Sequence, residues 1–206
     1  MKRRHILLSA ASLALMPLLP RLSPALADAT EVGESERIIG DADAPITIIE
    51  YASLTCPHCA SFHTDTLPQL KSEWLDEGKA RLVYRHYPLD GLALRAAMVT
   101  DCLEKDRAFF GMLSALFKDQ QQWARAEDPI AALQKHARLA GLGEERFNSC
   151  IEDEEGMNQV IRKLEQARET YEVQSTPTFI INGRKVEGNR SYEDLVEILE
   201  EVQEDT

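Results

Sequence analysis

The feature that constrains this chain most is local. A short β-branched run, Ile46-Thr47-Ile48-Ile49-Glu50-Tyr51, leads within a few residues into Cys56-Pro57-His58-Cys59. Branched and aromatic side chains over a short run read as a strand, and proline at the first helical position is the preferred helix start, so the cysteines fall at a strand-to-helix junction. Two thiols with two residues between them at a helix N-terminus close a small disulfide, and the free amides and dipole of that end favour the thiolate of the first. Cys56 is therefore predicted to be the attacking thiol, and Cys59, one turn later and more shielded, the resolving one. His58 is expected to add positive charge or a hydrogen bond near the Cys56 sulfur, which stabilises the reduced form and makes the disulfide more oxidising. Paired cysteines at this spacing also serve zinc, and His58 and His63 are near in sequence. A closed zinc site needs further ligands, so no metal is expected, and a redox-active disulfide requires no separate cofactor.

The first residues decide which redox compartment these cysteines meet. Lys2, Arg3, Arg4 and His5 lead into an apolar run from Ile6 to Leu19 and then Ala25-Leu26-Ala27, which together read as a cleavable export signal over residues 1–27. Pro17, Pro20 and Arg21 cut the run below the roughly 20 residues that span a bilayer, so the mature protein is not expected to be membrane-embedded. The Arg3-Arg4 pair fits a twin-arginine route or an ordinary basic signal equally well. The expected location is the periplasm. Removing the signal takes away four positive residues and no acid, moving the formal charge from −12 to −16. Such an acidic surface repels phosphate backbones, so nucleic acid is an unlikely partner.

Along the mature chain, residues 28–36 read as a mobile lead, with order beginning near Ile38. The helix opened by Pro57 carries Phe62, Leu67, Leu70 and Trp74 on one apolar face, with a kink expected at Pro68 and an end at Gly78. A second strand, Arg81 to Tyr87, closes a first segment over residues 37–91. Residues 92–171 lose strand-like alternation and fill with Ala, Leu, Glu, Lys and Gln, which predicts a helical insertion; Asp128-Pro129 caps one of its helices. The closing segment, residues 172–206, brings Thr178-Phe179-Ile180-Ile181, the Asn182-Gly183 hairpin turn and a last helix from Ser191. The fold class is α/β, a mixed sheet interrupted by helices.

Four groups of residues resemble the DsbA-like branch of the thioredoxin superfamily. They are Glu50 six positions before Cys56, the Cys56 to Cys59 motif, Tyr84-Arg85-His86-Tyr87-Pro88-Leu89, and Ser175-Thr176-Pro177-Thr178-Phe179. The resemblance covers the chain from about Arg37 onward and implies a thioredoxin fold with an inserted α-helical domain. It implies that Pro177 is a cis-proline facing the cysteine pair. Thr176 would then offer its backbone to a substrate segment and its hydroxyl to the Cys56 sulfur. The best-known DsbA enzymes carry valine there, and threonine is common in related DsbA-like and isomerase proteins, so Thr176 leaves the strength of oxidation open. The resemblance also implies that Glu50 is a buried acid beneath Cys59 that exchanges its proton; the alternative is a solvated strand-end glutamate. Arg85 and His86 are expected on the strand surface.

Cys102 and Cys150 each fall on an apolar helical stripe, so both are expected to face the interior of the helical block. In an oxidising compartment an even cysteine count favours a structural disulfide between them over two free thiols. The leading function is that of a thiol:disulfide oxidoreductase that donates disulfides to reduced, unfolded exported proteins through a mixed disulfide at Cys56. The resemblance implies reoxidation by a DsbB-like, quinone-linked membrane oxidase. The alternatives are a reductase or isomerase kept reduced by a membrane donor, and a metal-binding or chaperone-like module without turnover.

Overall fold

The structure is a computed structural model that describes residues 32, 33 and 36–204. The expected export signal over residues 1–27 lies outside the described residues, as does most of the expected mobile lead. Within that lead, Val32 packs against the sheet core and the Glu36 carboxylate lies 3.0 Å from the Arg85 guanidinium, so these two residues are held to the fold.

Five strands form one sheet in the order β1-β3-β2-β4-β5: β1 (Arg37–Gly40), β2 (Ile46–Ala52), β3 (Ala80–His86), β4 (Thr178–Ile181) and β5 (Arg184–Glu187). Only β2 and β3 are parallel; the other pairs are antiparallel. β2 is central and almost wholly buried, which explains a near-continuous apolar run with Glu50 as its one charge. Parallel β2 and β3 need a crossover, and helix α1 supplies it. β1 has no counterpart in the sequence reading. It pairs along β3 and is anchored by Arg37, whose guanidinium lies over the Phe109 ring at 4.7 Å and bonds to Asp106 at 2.8 Å.

Helix α1 begins as Pro57–Ser61 and continues through Phe62–Thr66, Leu67–Leu70 and Lys71–Leu75. Pro68 does not end it. A proline inside a helix cannot donate its amide, and here wider π-type turns at Phe62–Thr66 and Lys71–Leu75 flank it and accommodate the missing bond. Gly78, at φ +68°, closes the helix, with Lys79 N–H bonding back to the Trp74 carbonyl at 2.9 Å.

Between β3 and β4 the chain is all helix: α2 (Gly91–Asp101), α3 (Asp106–Lys118), α4 (Gln120–Ala124), α5 (Pro129–Leu139), α6 (Glu144–Ile151) and α7 (Glu154–Tyr171). Helix α8 (Tyr192–Glu204) follows β5. One face of the sheet packs Ile46, Ile48, Leu82, Phe179 and Ile181 against α1 and α8. The other packs Ile49, Tyr51, Val83 and Ile180 against Leu164, Ala167 and Tyr171 of α7. A third cluster joins Cys56, Cys59 and Tyr84 to the helical block through Phe109, Phe117, Trp123 and Phe147. The cysteine pair therefore sits where sheet and insertion meet.

Cys102, just after α2, is bonded to Cys150 of α6, with Cα atoms 6.3 Å apart and a sequence separation of 48. On the loop-entropy argument a closure of that length stabilises by about 4 kcal/mol. Replacing both with alanine is expected to lower unfolding stability by about that amount, read from the denaturant midpoint of the oxidised protein; an unchanged midpoint would mean that packing alone holds the block.

Candidate active site

Cys56 caps α1. Its backbone is extended, and its amide bonds to the Ser53 carbonyl at 3.1 Å, turning the chain out of β2. Three side chains that the sequence does not mark as site residues, Gln120, Thr55 and Asp90, hold this junction. Gln120 of α4, buried, donates through Nε2 to the carbonyls of Leu54 at 2.9 Å and Cys56 at 3.0 Å. Thr55 donates to Asp90 at 2.7 Å, and Asp90 in turn caps α2 by accepting from the Ala93 amide. Asp90 was detectable as a helix cap after Pro88. Gln120 sits in the polar run Gln120-Gln121-Gln122, and no sequence signal separates it from its neighbours.

Both cysteines are in the thiol form. Cys56 Sγ donates to the Thr176 carbonyl at 3.3 Å across 120 residues of sequence. The Thr176–Pro177 bond is cis, and the loop is closed by Thr178, whose hydroxyl donates to the Ser175 carbonyl at 2.8 Å. The Cys56 thiol is pulled down to about 5, first by the hydrogen bond from Cys59, against the cost of burial, and then by the Thr176 hydroxyl and the amides of Cys59 and His58. The Thr176 hydroxyl is buried with no hydrogen-bond partner among the neutral groups of this thiol form. The thiolate is the acceptor that completes it.

Cys59, fully buried, is pushed in the opposite direction. Burial raises its thiol far above the ordinary range, and negative charge at Cys56 and Glu50 adds to the effect. The His58 side chain is exposed, and it is its backbone amide, rather than the imidazole expected from sequence, that reaches toward the Cys56 sulfur. Pro57 is likewise exposed, at the first position of the helix.

Glu50 is completely buried. Both its oxygens lie 3.0 Å from Nε2 of His63, whose side chain is 4% exposed. In sequence, His63 stands out only as a candidate metal ligand. Its spacing four residues after Cys59 places both on one helix face, and that was the available signal. The imidazole stacks on Phe117 of α3 at 4.1 Å. Arg85 and His86 are not strand-surface residues. The Arg85 guanidinium reaches Glu36 and the Tyr51 hydroxyl, and buried His86 bonds to the Thr100 hydroxyl at 3.0 Å with Asp101 at 3.5 Å, because α2 and α7 cover β3. Among the described residues no three His, Cys, Asp or Glu side chains group as metal ligands, and no helix is long and apolar enough to cross a membrane.

A family model described as thioredoxin matches residues 33–201. A Rickettsia bellii protein, whose name assigns it provisionally to the protein-disulfide oxidoreductases, is 26% identical over 157 residues, covering 76% of this chain and 61% of its own length. The chain thus spans about three fifths of that relative. The crystal structure of Wolbachia pipientis alpha-DsbA1 superposes with a TM-score of 0.78 at 31% identity, over 84% of this chain and 94% of that one. Bacillus subtilis BdbD, at 21% identity and a TM-score of 0.73 over 81% of this chain and 92% of its own, shares the fold.

A Cys56 thiol near 5 has a signed consequence. Its folded value lies below the unfolded one, so the thiolate stabilises the reduced protein fully above the unfolded value of about 8.5, and this stabilisation is lost as pH falls through about 5. Thiolate absorbance is expected to titrate near 5, and Thr176→Val, which removes the hydroxyl and keeps the carbonyl, to move the midpoint upward. An unmoved midpoint would mean that the hydroxyl does not reach the sulfur.

Proposed function

The chain belongs to the thioredoxin superfamily, in its DsbA-like branch, and from that premise we propose that it is an exported thiol:disulfide oxidoreductase that donates disulfide bonds to reduced, unfolded proteins. The observation that carries this reading is the opposite treatment of the two sulfurs: Cys56 held low at the helix cap, Cys59 held high in the core. A stabilised Cys56 thiolate favours the reduced pair, and a couple whose reduced form is stabilised gives its disulfide away.

In the donor direction a substrate thiolate attacks Cys56 Sγ of the oxidised pair. The Cys56–Cys59 bond breaks, its electron pair leaves on the Cys59 sulfur, and that sulfur takes up a proton because burial does not tolerate its charge. The mixed disulfide is then attacked by a second substrate thiolate, which expels Cys56 as the thiolate that its surroundings stabilise. The substrate leaves with a disulfide and the protein with two reduced cysteines. The Thr176 carbonyl, 3.3 Å from Cys56 Sγ, stands where an extended substrate segment would pair with the loop. The redox couple is the disulfide itself, with no separate cofactor. In this reading the protein works in the periplasm and is reoxidised by a DsbB-like, quinone-linked membrane oxidase.

Equilibration of the purified protein against graded glutathione tests the direction of transfer. A potential well above roughly −200 mV is expected for a donor; a value near the roughly −270 mV of thioredoxin would overturn it in favour of a reductase or isomerase. Cys56→Ser is expected to abolish oxidation of a reduced multi-cysteine substrate, and retained function in that variant would point to a binding module without turnover.

A further inference from the structure

The exchange chemistry needs a proton delivered to, or taken from, a sulfur with no exposure, Cys59. Glu50 is the nearby buried acid, but it too has no exposure, and a lone carboxylate in such a place is strongly disfavoured in its charged form. His63 changes that. Its Nε2 is 3.0 Å from both carboxylate oxygens, its ring is clamped between Phe117, stacked at 4.1 Å, and Phe62, edge-on at 5.5 Å, and it leaves the same helix face as Cys59. With one proton between them the carboxylate and imidazole carry one negative charge; with two they are neutral. Because both carboxylate oxygens face the same imidazole nitrogen, a proton held by one group is shared with the other inside one buried site.

We propose that His63 is a positioning residue for proton exchange at Cys59: it makes Glu50 and itself one buried acid–base pair that holds the proton given to Cys59 when the disulfide opens and takes it back when Cys59 attacks. This rests on the thiol-exchange reading above. When the disulfide is attacked, the electron pair of the broken bond goes to Cys59 sulfur and the doubly protonated pair supplies its proton. In the reverse step the Cys59 thiol passes its proton to the pair, attacks Cys56 of a mixed disulfide, and expels the other sulfur as a thiolate. No co-reactant beyond the two thiols is needed.

The surroundings are consistent with one proton store at this position. From β2 comes Glu50, from α1 Cys59, and from β3 Tyr84, whose ring lies 5.9 Å from His63 and 5.0 Å from His86. Behind Tyr84 stand His86 and Asp101 of α2, paired with each other. α3 and β4 bring Phe117 and Phe179, which carry no charge.

The test uses the full protein with a 5-thio-2-nitrobenzoate group attached to Cys56, and follows its release by Cys59 from pH 5 to 9. In the parent protein the rate is expected to rise with pH and then level off. In His63→Gln, which keeps an amide donor and cannot titrate, it is expected to fall at least about tenfold at neutral pH and to rise with pH without levelling. A parallel profile, merely scaled, would overturn the proposal and leave His63 as packing for a buried carboxylate. If that variant does not fold, the imidazole nitrogen shifts of His63 in the unaltered oxidised and reduced proteins decide: a change of protonation at fixed pH supports the proposal, and identical states overturn it. Failure of the parent protein to release the aromatic thiol at all would instead sink the exchange reading, so the two failures are distinguishable.

Discussion

Helix α1 starts just after the central strand β2, with Cys56 as its cap and Pro57 as its first residue, and the chemistry of both sulfurs is set by that placement. At the cap, unpaired amides point outward, so the first sulfur meets donors. One turn on, the helix has entered the core between Ala52, Leu54 and the helical block, so burial, the Cys56 thiol and the buried Glu50 outweigh the one backbone donor, Ser53, that the second sulfur meets. Four consecutive residues thus span the full change from helix end to protein interior.

That placement is held by long-range contacts rather than by the motif itself. Gln120 fixes the carbonyls of Leu54 and Cys56 from the insertion, and the Tyr87 hydroxyl donates to the Val173 carbonyl at 2.7 Å while accepting from Arg168. The loop that carries Thr176 is therefore tied at one side to the end of α7 and at the other to the hairpin, where the Gly188 amide bonds to the Pro177 carbonyl at 2.9 Å. A net gain of about 1 kcal/mol per buried hydrogen bond is small, but an unmade one costs about 1–3 kcal/mol, so these contacts act chiefly by penalising displacement of the loop. The insertion is part of the active site in this sense, and so is His63, whose ring rests on Phe117 of that same block.

How much of this the sequence carried depended on whether the signal was local. β2, the hairpin and α8 announce themselves through branched residues, Asn182-Gly183 and a capped apolar stripe, and Cys56 through its place at a helix start. β1 did not, because four residues at a sheet edge with half-buried side chains lack a distinct pattern. Gln120, Arg85 and His86 were misjudged or missed for one reason: polar residues read as surface, and their burial is decided by which helix lands on them. His63 is intermediate. Its spacing from Cys59 was visible, but its partner Glu50 is on another element, and only the parallel pairing of β2 with β3 across α1 brings them together.

The acidity of the chain bears on Cys56 in the opposite sense to its neighbours, and magnitudes decide between them. A formal charge of −12 over the whole chain disfavours any thiolate. Yet one carboxylate 10 Å away through water contributes about 0.4 kcal/mol before salt, and the Debye length at physiological ionic strength is about 8 Å, so distant acids largely cancel against their own screening. A hydrogen bond to a charged acceptor contributes about 1.5–3 kcal/mol, and Cys56 has four donors: the Cys59 thiol, the Thr176 hydroxyl, and the amides of Cys59 and His58. The short-range set prevails over the long-range field. The redox poise of the pair is accordingly a property of the few groups within reach of one sulfur.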